Sequence, residues 1–160
     1  MISIVIPTFN EIRNISEIIN QLLILDLSYD IEIIIVDDNS SDGTADKVRE
    51  LVHNDKRIRL INRVGRSGLS SAIKEGCLCA SGELVVVIDA DGQHEPSYIK
   101  KALNCIESSR VDIVVGSRFK TGSKIRGLSK RRARGSSLAN SLARLSLYGC
   151  LLYTSDAADD

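Results

Sequence analysis

Two aspartates separated by one alanine, Asp89 and Asp91, are the side chains of this sequence best suited to hold a cation. They follow the apolar run 84–88, so both carboxylates are expected to leave a dry strand at a sheet edge. Residues two apart in extended chain point the same way, which would let both face one ion. Gln93 adds a neutral oxygen. Hard oxygen donors of this kind suit Mg2+ or Mn2+, and so small a set leaves coordination places for phosphate oxygens. His94 reads as a loop residue that shapes the site.

Three further clusters follow apolar runs. Pro7-Thr8-Phe9-Asn10-Glu11 comes directly after residues 2–6. Pro7 cannot donate to a ladder and is expected to stop the strand, leaving Thr8, Asn10 and Glu11 at the sheet edge. Taken alone, this cluster also reads as a turn followed by a helix cap. Asp37 and Asp38 stand at the end of a second run, in Val36-Asp37-Asp38-Asn39-Ser40-Ser41-Asp42-Gly43-Thr44. Adjacent carboxylates repel and are costly to bury without donors, and a ribose or a base N–H would serve. Asp42 reads equally as an Asx-type turn capping the next helix. Gly116-Ser117-Arg118 closes a third run, where Arg118 could grip a phosphate bidentately.

Beyond Arg118 the chain is basic. Lys120, Lys124, Arg126, Lys130, Arg131, Arg132 and Arg134 occur with no Asp or Glu between residues 118 and 144. Arg131 and Arg132 begin a helical pattern, where cations oppose the helix dipole, so their charge is expected to neutralise something external. Taken singly, each of these cations also reads as part of a solvated basic face.

The elements that must position these clusters are legible as short apolar runs alternating with helical patterns. Strand-like runs occupy residues 2–6, 31–36, 58–61, 84–88 and 112–115. Their Ile and Val follow one another without polar alternation, as in parallel strands buried on both faces. Helical patterns fill the gaps. Residues 14–25 open with Asn14 and have Glu17 three later, a capping-box-like start. Residues 44–53 follow a turn-rich stretch. Residues 68–80 place Leu69, Ala72, Ile73, Gly76 and Ala80 on one face. Residues 96–108 carry Pro96 in the first turn. This alternation predicts a three-layer α/β/α domain around a mainly parallel sheet. Such sheets bind ligands at the carboxyl ends of their strands, where all four clusters lie. Residues 119–129 then read as a polar loop, 130–147 as a last helix, and 151–160 as a disordered tail.

With 160 residues the chain suffices for one such domain. Its formal net charge is zero, so no global field recruits nucleic acid or anionic membrane, although the basic block from 118 to 144 is local. Cys77, Cys79, Cys105 and Cys150 lack zinc or redox spacing and read as reduced structural thiols of a cytosolic protein. Met1 leads straight into a strand-like run, with no leader pattern, and no apolar stretch reaches the ~20 residues needed to span a bilayer. A dinucleotide-binding dehydrogenase is disfavoured, because no GxGxxG follows the first strand.

Together, PTFNE at 7–11, VDDNSSDGT at 36–44, RSGLSSA at 66–72, DADGQH at 89–94 and GSRF at 116–119 resemble the family 2 glycosyltransferases of GT-A fold. Within them they are most similar to the dolichyl-phosphate (polyprenyl-phosphate) mannosyltransferases. The resemblance covers about residues 1–147. It implies that Pro7, Phe9, Glu11, Val36 and Asp38 form a nucleotide pocket. It implies that Asp89, Ala90 and Asp91 bridge ribose, diphosphate and a Mg2+ or Mn2+ ion, with Asp91 and Gln93 as its main ligands. Arg118 would contact the donor diphosphate or the acceptor phosphate, and Arg132 and Ser136 would lie near the acceptor phosphate.

The implied activity is inverting transfer of a hexose, mannose above all, from a nucleotide-diphosphate sugar such as GDP-mannose to dolichyl or polyprenyl phosphate. Asp91, Arg118 and Arg132 would carry the catalysis, at the cytoplasmic face of a membrane. The alternatives are a family 2 transferase using a UDP-sugar donor and a saccharide acceptor, and a nucleotide-sugar-binding chain without turnover. Gly92 stands where the mannosyltransferase form of the motif commonly has Leu, which leaves the sugar open. The family's later elements are expected to be missing: residues 1–150 read as an incomplete catalytic domain and 151–160 match nothing in the family.

Overall fold

The computed structural model describes residues 1–92, 95–109 and 111–116. The chain divides into two units, Met1–Lys101 and Ala102–Asp160. The first holds a four-stranded sheet, β1 (Ile2–Thr8), β2 (Ile31–Asp37), β3 (Ile58–Asn62) and β4 (Leu84–Val87), in the order β3-β2-β1-β4. All neighbouring pairs are parallel, with Ile2 opposite both Ile31 and Leu84, and Ile33 opposite Ile58. Between the strands lie α1 (Ile15–Leu23), α2 (Thr44–Asn54) and α3 (Leu69–Leu78), and α4 (Ser97–Ser109) follows β4.

The strands form where isoleucine and valine dominate, and β1 and β2 are buried on both faces as expected. Ile2, Ile4 and Ile6 share one face with Ile33 and Ile35, by the two-residue period of extended chain. Val5, Ile34 and Val36 share the other with Ala72 of α3. The connections from β1 to β2 to β3 run outward in one direction, and the next reverses to β4. With right-handed crossovers that reversal puts α3 on the face opposite α1 and α2. Helix α3 lies close because residue 76 is glycine: an added Cβ would fall 2.4 Å from Val5 Cγ1 and 3.0 Å from Val36 Cγ2.

Several expectations are corrected. Pro7 does not stop β1, which continues to Thr8 with Pro7 opposite Val36. Residues of one strand alternate in the side to which they hydrogen-bond. Ile88 N–H bonds to Val5 O on the β4 side, and Asp38 N–H bonds to Thr8 O on the β2 side. Pro7 therefore presents its missing N–H toward β4, past the point where that ladder has ended, and no bond is lost. Strand β4 is not dry: Val85 and Val87 are 42% and 44% exposed. Residues 112–115 form no strand, because among the described residues no partner ladder exists for them, and Ile113 and Val115 are exposed.

The start of α1 is not a capping box. Asn14 makes no side-chain cap bond; its amide donates to Glu11 instead, at 2.8 Å, while Glu17 accepts from Gln21. Helix α3 begins at Leu69, since Gly68 has a φ of 114° that no helix accommodates. The loop 119–129, the helix 130–147 and the tail 151–160 lie outside the described residues.

Candidate functional site

In open parallel sheets, ligands bind at the carboxyl edge where the strand order reverses. Here that point lies between β1 and β4, neighbours in space that are separated in sequence by β2 and β3. The loops after these strands, 9–14 and 88–92, therefore flank one mouth within the first unit. The loops after β2 and β3 border it, because β2 adjoins β1 and β3 adjoins β2.

The loops after β1 and β2 are stapled together by backbone amides bonded to side-chain oxygens. Asn10 N–H donates to Ser40 Oγ at 2.8 Å, and Ser41 N–H donates to Asn10 Oδ1 at 3.1 Å. Glu11 N–H donates to Thr44 Oγ1 at 2.9 Å, and Ile12 N–H to Asp42 Oδ2 at 3.0 Å. Asp42 also accepts from the Thr44 amide and hydroxyl at the start of α2. Partial desolvation pushes the carboxyl up, but the Thr44 hydroxyl and the Ile12 and Thr44 amides outweigh this and hold it below the ordinary carboxylate range. Of its two readings the structural one holds. Phe9, by contrast, is 62% exposed beside the mouth. Val36 is wholly buried in the sheet, so its side chain is core rather than open surface.

The adjacent carboxylates of Asp37 and Asp38 find donors inside the chain. Buried Asp37 accepts from the Ser40 amide at 2.9 Å, the Ser40 hydroxyl at 2.6 Å and Thr8 Oγ1 at 3.3 Å. Asp38 accepts from Arg63 Nη1 through one oxygen and from the Gly68 amide, at 2.7 Å, through the other. Arg63, directly after β3, is 1% exposed and is the largest fully buried side chain described. Its guanidinium also donates to Ser71 Oγ and to Gly68 O, the latter at 3.3 Å, and its Nε lies 3.2 Å from Glu75. Glu75 pairs in turn with Arg66, which draws its carboxyl down. Sequence reasoning did not single out Arg63. The signal was present: a carboxylate at the end of a buried strand calls for a cation, and Arg63 directly follows the adjoining strand.

Asp89 and Asp91 stand at the other side of the mouth, both half-buried, with Ala90 buried between them. The chain leaves extended form after Ile88 and turns through Ala90 and Asp91. The two-residue alternation used above for their common direction therefore does not apply here. Gly92 has a φ of 72°, a backbone conformation that favours glycine. Two carboxylates within three residues are the hard donors a divalent cation takes. Among the described residues no group of three His, Cys, Asp or Glu converges on a metal position. Gln93, Arg118, Arg132 and Ser136 lie outside the described residues.

A parallel four-stranded sheet in the order β3-β2-β1-β4, with helices in its connections, is an α/β domain of GT-A fold. The sequence pattern of glycosyl transferase family 2 matches residues 3–154, and the chain belongs to that family. It is 40% identical over 126 residues to a dolichol-phosphate mannosyltransferase of Pyrococcus furiosus, covering 78% of this chain and 35% of that protein. It is 32% identical over 123 residues to the dolichol-phosphate mannosyltransferase of Saccharomyces cerevisiae, covering 75% and 45% respectively. The chain thus spans less than half the length of these curated relatives. Among solved structures it is similar to the mannosyltransferase PcManGT of Pyrobaculum calidifontis in complex with GDP-Man and Mn2+. That likeness has a TM-score of 0.59 and 28% identity, over 66% of this chain and 32% of the other.

Proposed function

We propose that this chain supplies the donor-binding part of an inverting mannosyltransferase that uses GDP-mannose and delivers the sugar to dolichyl or polyprenyl phosphate. The observation that carries the reading is the reversal between β1 and β4. It gathers the end of β1 with Pro7, the following loop with Phe9 and Glu11, and the Asp89-Ala90-Asp91 turn at one mouth, with Asp38 bordering it. The 40% identity to a dolichol-phosphate mannosyltransferase, and a solved mannosyltransferase neighbour holding GDP-Man and Mn2+, support the choice of substrate.

In this reading exposed Phe9 offers an aromatic surface to the base, and Asp38 accepts an N–H or O–H of the nucleoside. Asp89 and Asp91, with Gln93, would hold Mg2+ or Mn2+, which neutralises charge on the departing nucleoside diphosphate. Arg118 adds positive charge at the diphosphate or the acceptor phosphate. The acceptor is a phosphate monoester with a second pKa of about 6, so it is largely dianionic at neutral pH and attacks without a general base. Arg132 and Ser136 would receive that phosphate, and the basic stretch from Lys120 to Arg134 would draw the chain to anionic lipid at the cytoplasmic face of a membrane. No helix among the described residues is long and apolar enough to cross one.

The test is calorimetry of the chain with GDP-mannose and UDP-glucose in the presence of Mn2+, alongside transfer of radiolabelled sugar to polyprenyl phosphate or to a saccharide. Preference for GDP-mannose and a labelled lipid product support the proposal. Preference for UDP-glucose, or transfer to the saccharide alone, overturns it. Binding without transfer would match the chain's share of its relatives' length and identify it as a donor-binding piece.

A further inference from the structure

We infer that Arg63 is a positioning residue for the nucleotide end of the donor site, acting through Asp38; the inference rests on the donor-binding reading above. A fully buried guanidinium is expensive unless paired, and breaking such a pair leaves an uncompensated charge. Here the pairing is directed at the site. Arg63 holds one oxygen of Asp38 and the Gly68 amide holds the other at 2.7 Å. The carboxylate is thereby gripped from two elements, the end of β3 and the start of α3. Each carboxylate oxygen accepts about two hydrogen bonds, so a lone pair remains on each for the donors of a nucleoside.

The grip is itself braced. Arg63 N–H bonds to Asp37 O at 2.8 Å, which ties the turn after β3 to the end of β2. Ser71 Oγ accepts from Arg63 Nη2 and donates to Gly68 O at 2.8 Å. Gly68, with φ of 114°, presents its amide to Asp38 and its carbonyl to Arg63, a conformation that side chains rarely adopt. Without Arg63, Asp38 would keep only the Gly68 amide, and its second oxygen would no longer be fixed toward the nucleoside. A planar fork serves two acceptors at fixed angles, which lysine cannot reproduce.

Calorimetry of the chain, with Mn2+ throughout, compares GDP with inorganic pyrophosphate in the parent, Arg63→Lys, Asp38→Asn and the double variant. Arg63→Lys and Asp38→Asn should each weaken GDP about tenfold, and the double variant no more than the larger single one, as coupled partners do. Pyrophosphate should stay within about twofold of the parent, because the clamp serves the nucleoside and not the metal end. Circular dichroism checks that each variant is folded. Folded Arg63→Lys binding GDP like the parent overturns the inference, as does parallel weakening of GDP and pyrophosphate, which marks a general structural fault. A parent that binds neither ligand overturns the donor reading and this inference together. Should Arg63→Lys not fold, Ser71→Ala removes a brace without touching charge. It should weaken GDP about threefold at unchanged pyrophosphate affinity, in keeping with one neutral hydrogen bond; unchanged GDP affinity then overturns the inference.

Discussion

Glu32 offers a sharp test of how the sheet is held together. It is 8% exposed on β2, on the face that α3 covers. One oxygen accepts from Ser3 Oγ and from the Ser81 amide, both at 2.6 Å, and the other from Arg59 Nη1 at 2.8 Å. Three strands and the turn after α3 thus meet on one carboxylate. Burial pushes its pKa up, but the Ser3 hydroxyl, the Ser81 amide and the Arg59 guanidinium outweigh this and hold it at about 2, against an ordinary 4.5. At 1.36 kcal/mol for each tenfold change in proton affinity, this contributes about 3 kcal/mol at pH 7. The folded value lies below the unfolded one. The contribution is therefore complete above about pH 4.5, falls to about 1 kcal/mol at pH 3, and nears zero around pH 2. Glu32→Gln keeps an acceptor for Ser3 and Ser81 but sets an amide donor against Arg59. Urea unfolding followed by far-ultraviolet circular dichroism suits a chain without tryptophan. At pH 7 the variant should lose about 2–3 kcal/mol, a midpoint shift of about 1 M or more. At pH 3 the gap should shrink to about 1 kcal/mol. Other carboxylates titrate in both proteins and cancel in the difference. A gap equal at the two pH values, or none at pH 7, would refute the ionic role.

Gly76→Ala should destabilise the chain by about 1–2 kcal/mol, because overpacking against Val5 and Val36 exceeds the roughly 1 kcal/mol that alanine adds to a helix. Thermal unfolding reads this as a lower Tm; a higher Tm would mean that α3 can lift from the sheet at little cost. Asp91→Ala should abolish sugar transfer and remove the effect of added Mn2+ on GDP affinity, and near-normal turnover would rule out its metal role. Arg132→Ala should raise the polyprenyl-phosphate KM about tenfold and leave the GDP-mannose KM unchanged, in line with loss of one charge-assisted phosphate contact. Unchanged acceptor dependence would remove Arg132 from the acceptor site.

Much of the sheet was legible in the sequence because buried parallel strands announce themselves by unbroken runs of Ile and Val. The cores of β1, β2 and β3 and the positions of α1 to α4 follow from runs and periods alone, with ends displaced by one or two residues. The errors fall where geometry overrides type. Pro7 reads as a strand breaker, yet the side to which its backbone faces depends on where β4 pairs. Residues 112–115 have the composition of a strand, but a strand exists only beside a partner. Asp89 and Asp91 were placed by alternation, and a turn at Ala90 removes that argument.

By itself the sequence determined the residue types of the site and their order along the chain, since strand-end clusters carry local signals. Only the tertiary structure decided which of them meet. The reversal between β1 and β4 brings the loops holding Phe9 and Asp91 to one edge across more than eighty residues, and no local pattern encodes that. It likewise decided that Asp38 answers to Arg63 and Gly68, and Glu32 to Ser3, Arg59 and Ser81. The physical reason is shared. A buried charge must be satisfied by whatever donors the fold brings within hydrogen-bond distance, and those donors come from distant stretches of chain.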